Sequence, residues 1–122
     1  MSHILIVEDN ESLRLAYTNI LEQEGYEVTG MPRVLEALTY LETNTPDLIL
    51  LDMFLPVMNG LELLQRYDIK EAHKEVKVIA FSNLTEVRIE QEARDLGVSL
   101  YLTKSLTDPK QLIENIKGVL GS

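Results

Sequence analysis

PDLILLD, residues 46–52, carries four consecutive aliphatic residues, Leu48 to Leu51, and closes on a carboxylate. A run this short and this uniformly apolar suits a strand buried on both faces rather than an amphipathic helix. The pattern recurs. HILIV (3–7) runs into Glu8 and Asp9, and VKVIAFS (76–82) ends on a hydroxyl. Tyr26 to Thr29 and VSLYLT (98–103) read as shorter strands.

Helical patterns separate the strands. Asn10 can cap a helix whose apolar face is Leu13, Ala16, Tyr17, Ile20 and Leu21, and Gly25 ends it. Pro32 suits the first turn of a second helix through about Glu42, with Val34, Leu38 and Leu41 inward. Further helices are expected over Gly60 to Ala72 and Leu84 to Leu96. A last one begins at Asp108 and Pro109, with Leu112, Ile113, Ile116 and Val119 as its apolar positions. Strand–helix alternation, five times over, places the chain in the α/β class with a parallel sheet covered on both faces. Length points to one domain over residues 1–122, since 122 residues suit one compact core. Strand order does not follow from this spacing.

Composition narrows the function. Eleven Lys and Arg against 20 Asp and Glu give a formal net charge of −9, which disfavours direct nucleic-acid binding. With no Cys, disulfides, thiol nucleophiles and Cys-based zinc sites are excluded. His3 and His73 lie far apart, and His73 is expected to be solvated. No apolar run is long enough to span a bilayer and no signal-peptide pattern precedes the first strand, so a cytoplasmic location is expected.

The polar residues cluster at strand ends. Glu8 and Asp9 follow the first strand, Asp52 the third, Ser82 and Asn83 the fourth, and Lys104 the fifth. All carboxyl ends of a parallel sheet lie on one edge, and open α/β sheets bind ligands there. Two unit charges at 4 Å repel by about 4 kcal/mol at an effective dielectric of 20. If the first and third strands are neighbours, three carboxylates share a crevice and need a cation. An all-oxygen set suits Mg²⁺ best, with Mn²⁺ possible. Carboxylates, a metal, a hydroxyl and a lysine together describe a phosphoryl-transfer site with Asp52 as nucleophile. Taken singly, Glu8, Asp9 and Asp52 are ordinary helix or turn caps, Ser82 a solvated cap, Lys104 a surface charge and Tyr101 a core aromatic. The weight lies in the set.

VEDN, DLILLDMFLPVMNG (with Pro56 and Gly60 at fixed offsets from Asp52), FSN and YLTK together resemble the receiver domain of two-component response regulators, over residues 3 to about 119. The resemblance implies a doubly wound, flavodoxin-like sheet ordered 2-1-3-4-5 with five helices. It implies that Asp52 accepts phosphate from a sensor histidine kinase or phosphotransfer protein. Asp9 and Asp52 would hold Mg²⁺, with Glu8 acting through water and the Phe54 carbonyl as a further ligand. Ser82 and Lys104 would grip the phosphoryl oxygens. Tyr101 would be the switch aromatic that follows Ser82 inward and reshapes the surface of helix 4, strand 5 and helix 5. Phe54 and Leu84 occupy positions that tune phosphoaspartate hydrolysis in this family, and their apolar character predicts a long phosphorylated lifetime. Asn83 is bulkier than the residue usual there and is expected to narrow phosphate access. Ser105 stands where the family usually has proline after a cis peptide; cis costs about 2.5–4 kcal/mol before other residues, which favours trans here. Output is expected through the domain's own surface or a domain lost from a longer chain, as a monomer or phosphorylation-promoted dimer. Two other functions share some of these features. One is a receiver-like scaffold that works without phosphorylation. The other is an aspartate-nucleophile phosphatase, disfavoured because Phe54 stands where that class places a second Asp.

Overall fold

The computed structural model describes residues 2–55, 57–83 and 86–121. Five strands alternate with five α-helices: β1 (His3–Val7), α1 (Glu11–Gln23), β2 (Glu27–Met31), α2 (Val34–Leu41), β3 (Leu48–Leu51), α3 (Gly60–Arg66), β4 (Lys77–Ser82), α4 (Val87–Asp95), β5 (Leu100–Thr103) and α5 (Pro109–Leu120). All pairings are parallel, in the order β2-β1-β3-β4-β5. This is the α/β class read from the strand runs and the order that the resemblance implies.

The sheet divides the core by period 2. Ile4, Ile6, Leu48, Leu50, Ile79 and Phe81 pack with Leu21 of α1 and Leu112 and Ile116 of α5. Leu5, Val7, Ile49, Leu51, Val78 and Ala80 pack on the other face with residues of α2, α3 and α4. β1, β3 and β4 are therefore apolar at nearly every position because both faces are covered. The edge strand β2 has no buried residue, and it reads EVTGM.

Several boundaries differ from the sequence reading. The second helix starts at Val34 with Arg33 as its N-cap, so Pro32 lies outside it rather than in its first turn. The third helix stops at Arg66, not Ala72. Tyr67 is extended (φ −108°, ψ 100°), and the Asp68 carboxylate then accepts the amides of Lys70, Glu71 and Ala72 in a separate turn. An Asx-type side chain thus competed successfully with helix continuation. His73 is not simply solvated: its ring stacks on Tyr67, with centroids 4.1 Å apart and planes 9° from parallel. Strands β2 to β5 are each displaced or shortened by one or two residues, and α4 begins at Val87. The expected helix start at Leu84 lies outside the described residues, as does Pro56.

Caps were legible. Asn10 accepts the Leu13 amide at 3.0 Å. Asn59 with Glu62, and Asp108 with Gln111, form reciprocal capping boxes, the latter with Pro109 in the first turn. Gly60 is required by close approach: a Cβ there would lie 2.7 Å from Met53 Sδ and 2.9 Å from Met53 Cα. That contact seats the start of α3 against the loop after Asp52.

Val57, in the same loop, is the one described non-glycine residue with positive φ, at +68°, and it is 92% exposed. The left-handed region is costly for a β-branched side chain, and no packing offsets it here. Val57→Gly should therefore stabilise the protein by about 0.5–1 kcal/mol in urea unfolding. A loss of stability would show that the Val57 side chain contributes contacts that its exposure does not suggest.

Candidate functional site

The register fixes the site before any side chain is considered. Val7 pairs with Leu51, so the next residues, Glu8 and Asp52, emerge side by side at the carboxyl edge. The Asp52 amide bonds the Val7 carbonyl at 3.0 Å. Ser82 pairs with Thr103, which brings Lys104 alongside the end of β4. Period 2 then sorts the side chains. Glu8, Asp52 and Lys104 continue the alternation of Ile6, Leu50 and Leu102, on the α1–α5 face. Ser82 continues that of Ala80, whose strand partner is Tyr101, on the opposite face.

These residues meet in a cavity of about 420 Å³ whose lining includes Glu8, Asp9, Asp52, Ser82, Asn83 and Lys104. Glu8 (4% exposed), Asp52 (7%) and Ser82 (0%) are buried, while Asp9 is exposed. Lys104 Nζ donates to Asp52 Oδ2 at 3.0 Å and to Glu8 Oε1. Asp52 Oδ1 accepts the Phe54 amide at 3.0 Å. Glu8 Oε2 accepts the Asn10 amide at 3.2 Å. Both Asp52 oxygens are thus held, which fixes the carboxylate toward the cavity. Beneath it lies an almost filled apolar floor that includes Ile6, Leu50, Tyr17 and Phe81, the last two rings packed edge to face at 5.1 Å.

That floor sets the electrostatics. Burial alone would push the Lys104 ammonium down, but hydrogen bonds and attraction from Glu8 and Asp52 outweigh it and hold the group above the usual lysine range. Burial raises the Glu8 carboxyl above its ordinary value; Lys104 and the Asn10 amide pull it down without cancelling the effect, and Asp52 adds repulsion. The asymmetry is physical. The cation has two anions beside it, whereas Glu8 shares one cation with a second anion.

Carboxylate oxygens of Glu8, Asp9 and Asp52 lie within 4.8 Å of one another, and they form the cluster of this kind among the described residues. Three hard oxygen donors, two of them buried, fit a divalent cation such as Mg²⁺. The remaining expected residues fall as follows. Phe54, although 71% exposed, is among the residues that line the cavity. Tyr101 is buried, 9% exposed, inside the core cluster under α4. Asn83 does not simply lean over the entrance: its Oδ1 accepts the Ser105 amide at 2.9 Å. The Lys104–Ser105 peptide is trans, as are all described peptide bonds. Leu84 lies outside the described residues.

Two contributors were missed from sequence. Arg14 donates from its guanidinium to the Glu8 carbonyl at 2.8 Å, its aliphatic stem lying over Gly30 of β2. Tyr17 was read as core only. Their signal was weak: a lone cation one turn beyond the cap, and an aromatic on the apolar face of α1.

The family model for the response regulator receiver domain matches residues 4–117. The polar-differentiation response regulator DivK of Brucella ovis is 35% identical over 118 residues, covering 97% of this chain and 95% of the relative. A CheY-like receiver domain protein from Methanospirillum hungatei superposes with a TM-score of 0.92 at 30% identity, over 99% of this chain and 94% of that one. The response regulator TrrA of Thermotoga maritima, solved in complex with Mg²⁺ and BeF, gives a TM-score of 0.84 at 28% identity, over 98% and 99% of the two chains.

Charge balance in the cluster makes opposite changes separable. Lys104→Met leaves two buried carboxylates unpaired and should cost at least about 2 kcal/mol of stability. Asp9→Asn removes one of three mutually repelling carboxylates and should raise the melting temperature in chelator by about 3 °C. It should also abolish most of the further rise that millimolar Mg²⁺ gives the wild type. Melting curves with Mg²⁺ and with chelator check both; equal shifts for Asp9→Asn in the two conditions would remove Asp9 from the cation site.

Proposed function

The chain belongs to the response regulator receiver domain family, and we propose that residues 1–122 act as one phosphorylation-dependent signalling switch with Asp52 as the phosphoacceptor. The observation that carries this reading is the convergence, from three separate strand ends, of Glu8, Asp52 and Lys104 into one bonded cluster open to a cavity.

The phosphoryl donor is a phosphohistidine on a sensor kinase or phosphotransfer protein, or a small acyl phosphate. An Asp52 carboxylate oxygen attacks phosphorus and an acyl phosphate bond forms. The bond from phosphorus to the donor's nitrogen or oxygen breaks, and the leaving group takes the electron pair and, from phosphohistidine, a proton from solvent. Lys104, already protonated, shifts from the Asp52 carboxylate to a phosphoryl oxygen, and the buried Ser82 hydroxyl donates to another. Asp9, Asp52 and the Phe54 carbonyl, with Glu8 through water, would hold Mg²⁺, which when bound neutralises the charge of the transferring phosphoryl group. The TrrA complex with Mg²⁺ and BeF supports that assignment by likeness.

The shared face of Ser82 and Tyr101 supports a route outward. Movement of Ser82 toward the phosphate changes the space above Tyr101, and Tyr101 packs under α4. The altered surface is that of α4, β5 and α5, and it engages a downstream protein. Catalysis is confined to the chain's own phosphorylation and dephosphorylation. A phosphatase acting on external substrates finds no support at position 54, where that class places a second Asp and this chain has Phe54.

Acetyl phosphate with Mg²⁺ should add one phosphate, read by intact mass spectrometry, and Asp52→Asn or chelator should prevent it. No gain in the wild type, with cation binding also absent, would favour the phosphorylation-independent scaffold. The exposed Phe54 ring stands beside the site at a position that can impede an attacking water. Phe54→Asn should therefore shorten the phosphorylated lifetime several-fold in a dephosphorylation time course; an unchanged lifetime would remove Phe54 from that role.

A further inference from the structure

Lys104 has to reach far. Asp52 follows β3, two strands away from β5, and Glu8 follows β1, three strands away. Neighbouring strands lie about 4.8 Å apart, so the lysine spans most of a gap that its five-bond side chain and the facing carboxylates must close together. Such a side chain has little slack, and a shift of its own backbone would break the cluster.

The segment that carries it is tied at both ends. Lys104 to Leu106 form a short 3₁₀ turn after β5. The Thr107 hydroxyl donates to the Thr103 carbonyl at 2.8 Å, and the Thr107 amide to the Lys104 carbonyl at 3.3 Å, which closes the turn upon itself. The tie to the rest of the sheet comes from Asn83: its Oδ1 accepts the Ser105 amide at 2.9 Å, across 22 residues of sequence. This bond joins the residue directly after Ser82 to the residue directly after Lys104. It requires a backbone N–H at position 105 and a side-chain acceptor of the right reach at position 83. A proline at position 105 would have no N–H to give, and glycine or alanine at position 83 no acceptor.

We infer that Asn83 is a positioning residue, which through its hydrogen bond to Ser105 sets the reach of Lys104 into the Glu8–Asp52 pair and fixes the separation of Ser82 and Lys104. The inference deepens the phosphoacceptor reading and rests on it for its consequence, namely the rate at which Asp52 is phosphorylated. The clamp itself can be tested apart from that chemistry, because it predicts how well Lys104 is held.

The experiment is competitive lysine acetylation of the folded protein, with peptide mapping of Lys104 against the exposed Lys110 of α5. Three variants separate hydrogen bonding from bulk. Asn83→Leu keeps the size and loses the acceptor, Asn83→Ala loses both, and Asn83→Asp keeps an acceptor oxygen. Loss of one such bond should raise Lys104 labelling about three- to tenfold in Asn83→Leu and Asn83→Ala, with Lys110 unchanged and Asn83→Asp at or below the wild-type rate, since its carboxylate keeps the acceptor and adds negative charge. Hydrogen exchange at the Ser105 amide should accelerate in the same two variants. Phosphorylation by acetyl phosphate should slow in both by a similar factor. Unchanged Lys104 labelling in Asn83→Leu overturns the clamp, as does faster phosphorylation of Asn83→Ala, which would mean that Asn83 only obstructs the entrance. If Asn83→Leu misfolds, seen as Lys104 and Lys110 labelling rising together, Asn83→Ala and the Ser105 exchange rate decide. A wild type that takes no phosphate sinks the phosphoacceptor reading alone, and the labelling still decides the clamp.

Discussion

One ammonium group, Lys104 Nζ, stands between two buried carboxylates that would otherwise face each other over an apolar floor. Its position constrains everything around it. The parallel sheet has to bring β1, β3 and β5 to the same edge with their last side chains on the same face, and the observed register does so. Gly60 has to be small enough for α3 to begin against Met53, because the loop between them carries the Phe54 amide that bonds Asp52. Arg14 and Asn10 hold the backbone and side chain of Glu8 from the α1 side. The fold's contribution is thus to keep like charges close at a cost that one cation offsets only in part, as the raised Glu8 carboxyl indicates.

An arrangement of this kind is responsive because it is under-compensated. Three carboxylates against one ammonium leave the edge with excess negative charge, which favours a divalent cation and, once that is bound, an anionic group beside it. The two faces of the sheet divide the labour. Charge is handled on the α1–α5 face by Glu8, Asp52 and Lys104, while Ser82 and Tyr101 lie on the face covered by α4. The cavity is thus lined from both faces at once, by Glu8, Asp52 and Lys104 on one and by Ser82 on the other.

The elements most legible in the sequence were those set by burial and caps. Apolar runs at 3–7, 48–51 and 76–82 marked the doubly covered strands, and Asn10, Asp108 and Pro109 marked helix starts that the structure reproduces. The strand-end residues Glu8, Asp52, Ser82 and Lys104 were legible as a set, because a parallel sheet leaves them only one edge to share. Helix ends were less so. Asp68 ended α3 six residues early through local hydrogen bonds, which compete with helix at a scale that hydrophobic spacing cannot register. Strand order came from resemblance, since pairing is non-local. The Asn83–Ser105 bond was invisible for the same reason, since its partners lie 22 residues apart, while the Arg14 bond to the Glu8 carbonyl six residues away left only a weak signal because no periodicity reports a side chain meeting a loop carbonyl.

The Asn83–Ser105 contact also shows why the site has to be read as a unit. Taken one at a time, Asn83 is a bulky residue beside a cavity and Ser105 a residue in the place of a proline. Together they supply a donor and an acceptor that satisfy each other at 2.9 Å. A proline fixes a backbone by its ring, whereas this pair fixes it by a bond between two strand ends, so the same lysine is delivered to the same carboxylates by a different constraint. The difference is energetic as well as geometric. A ring restricts the unfolded chain too, while a single exposed hydrogen bond is modest and reversible. Lys104 in this chain is therefore held by a tie that can yield, and its hold on Glu8 and Asp52 depends on how firmly Asn83 is itself kept at the end of β4.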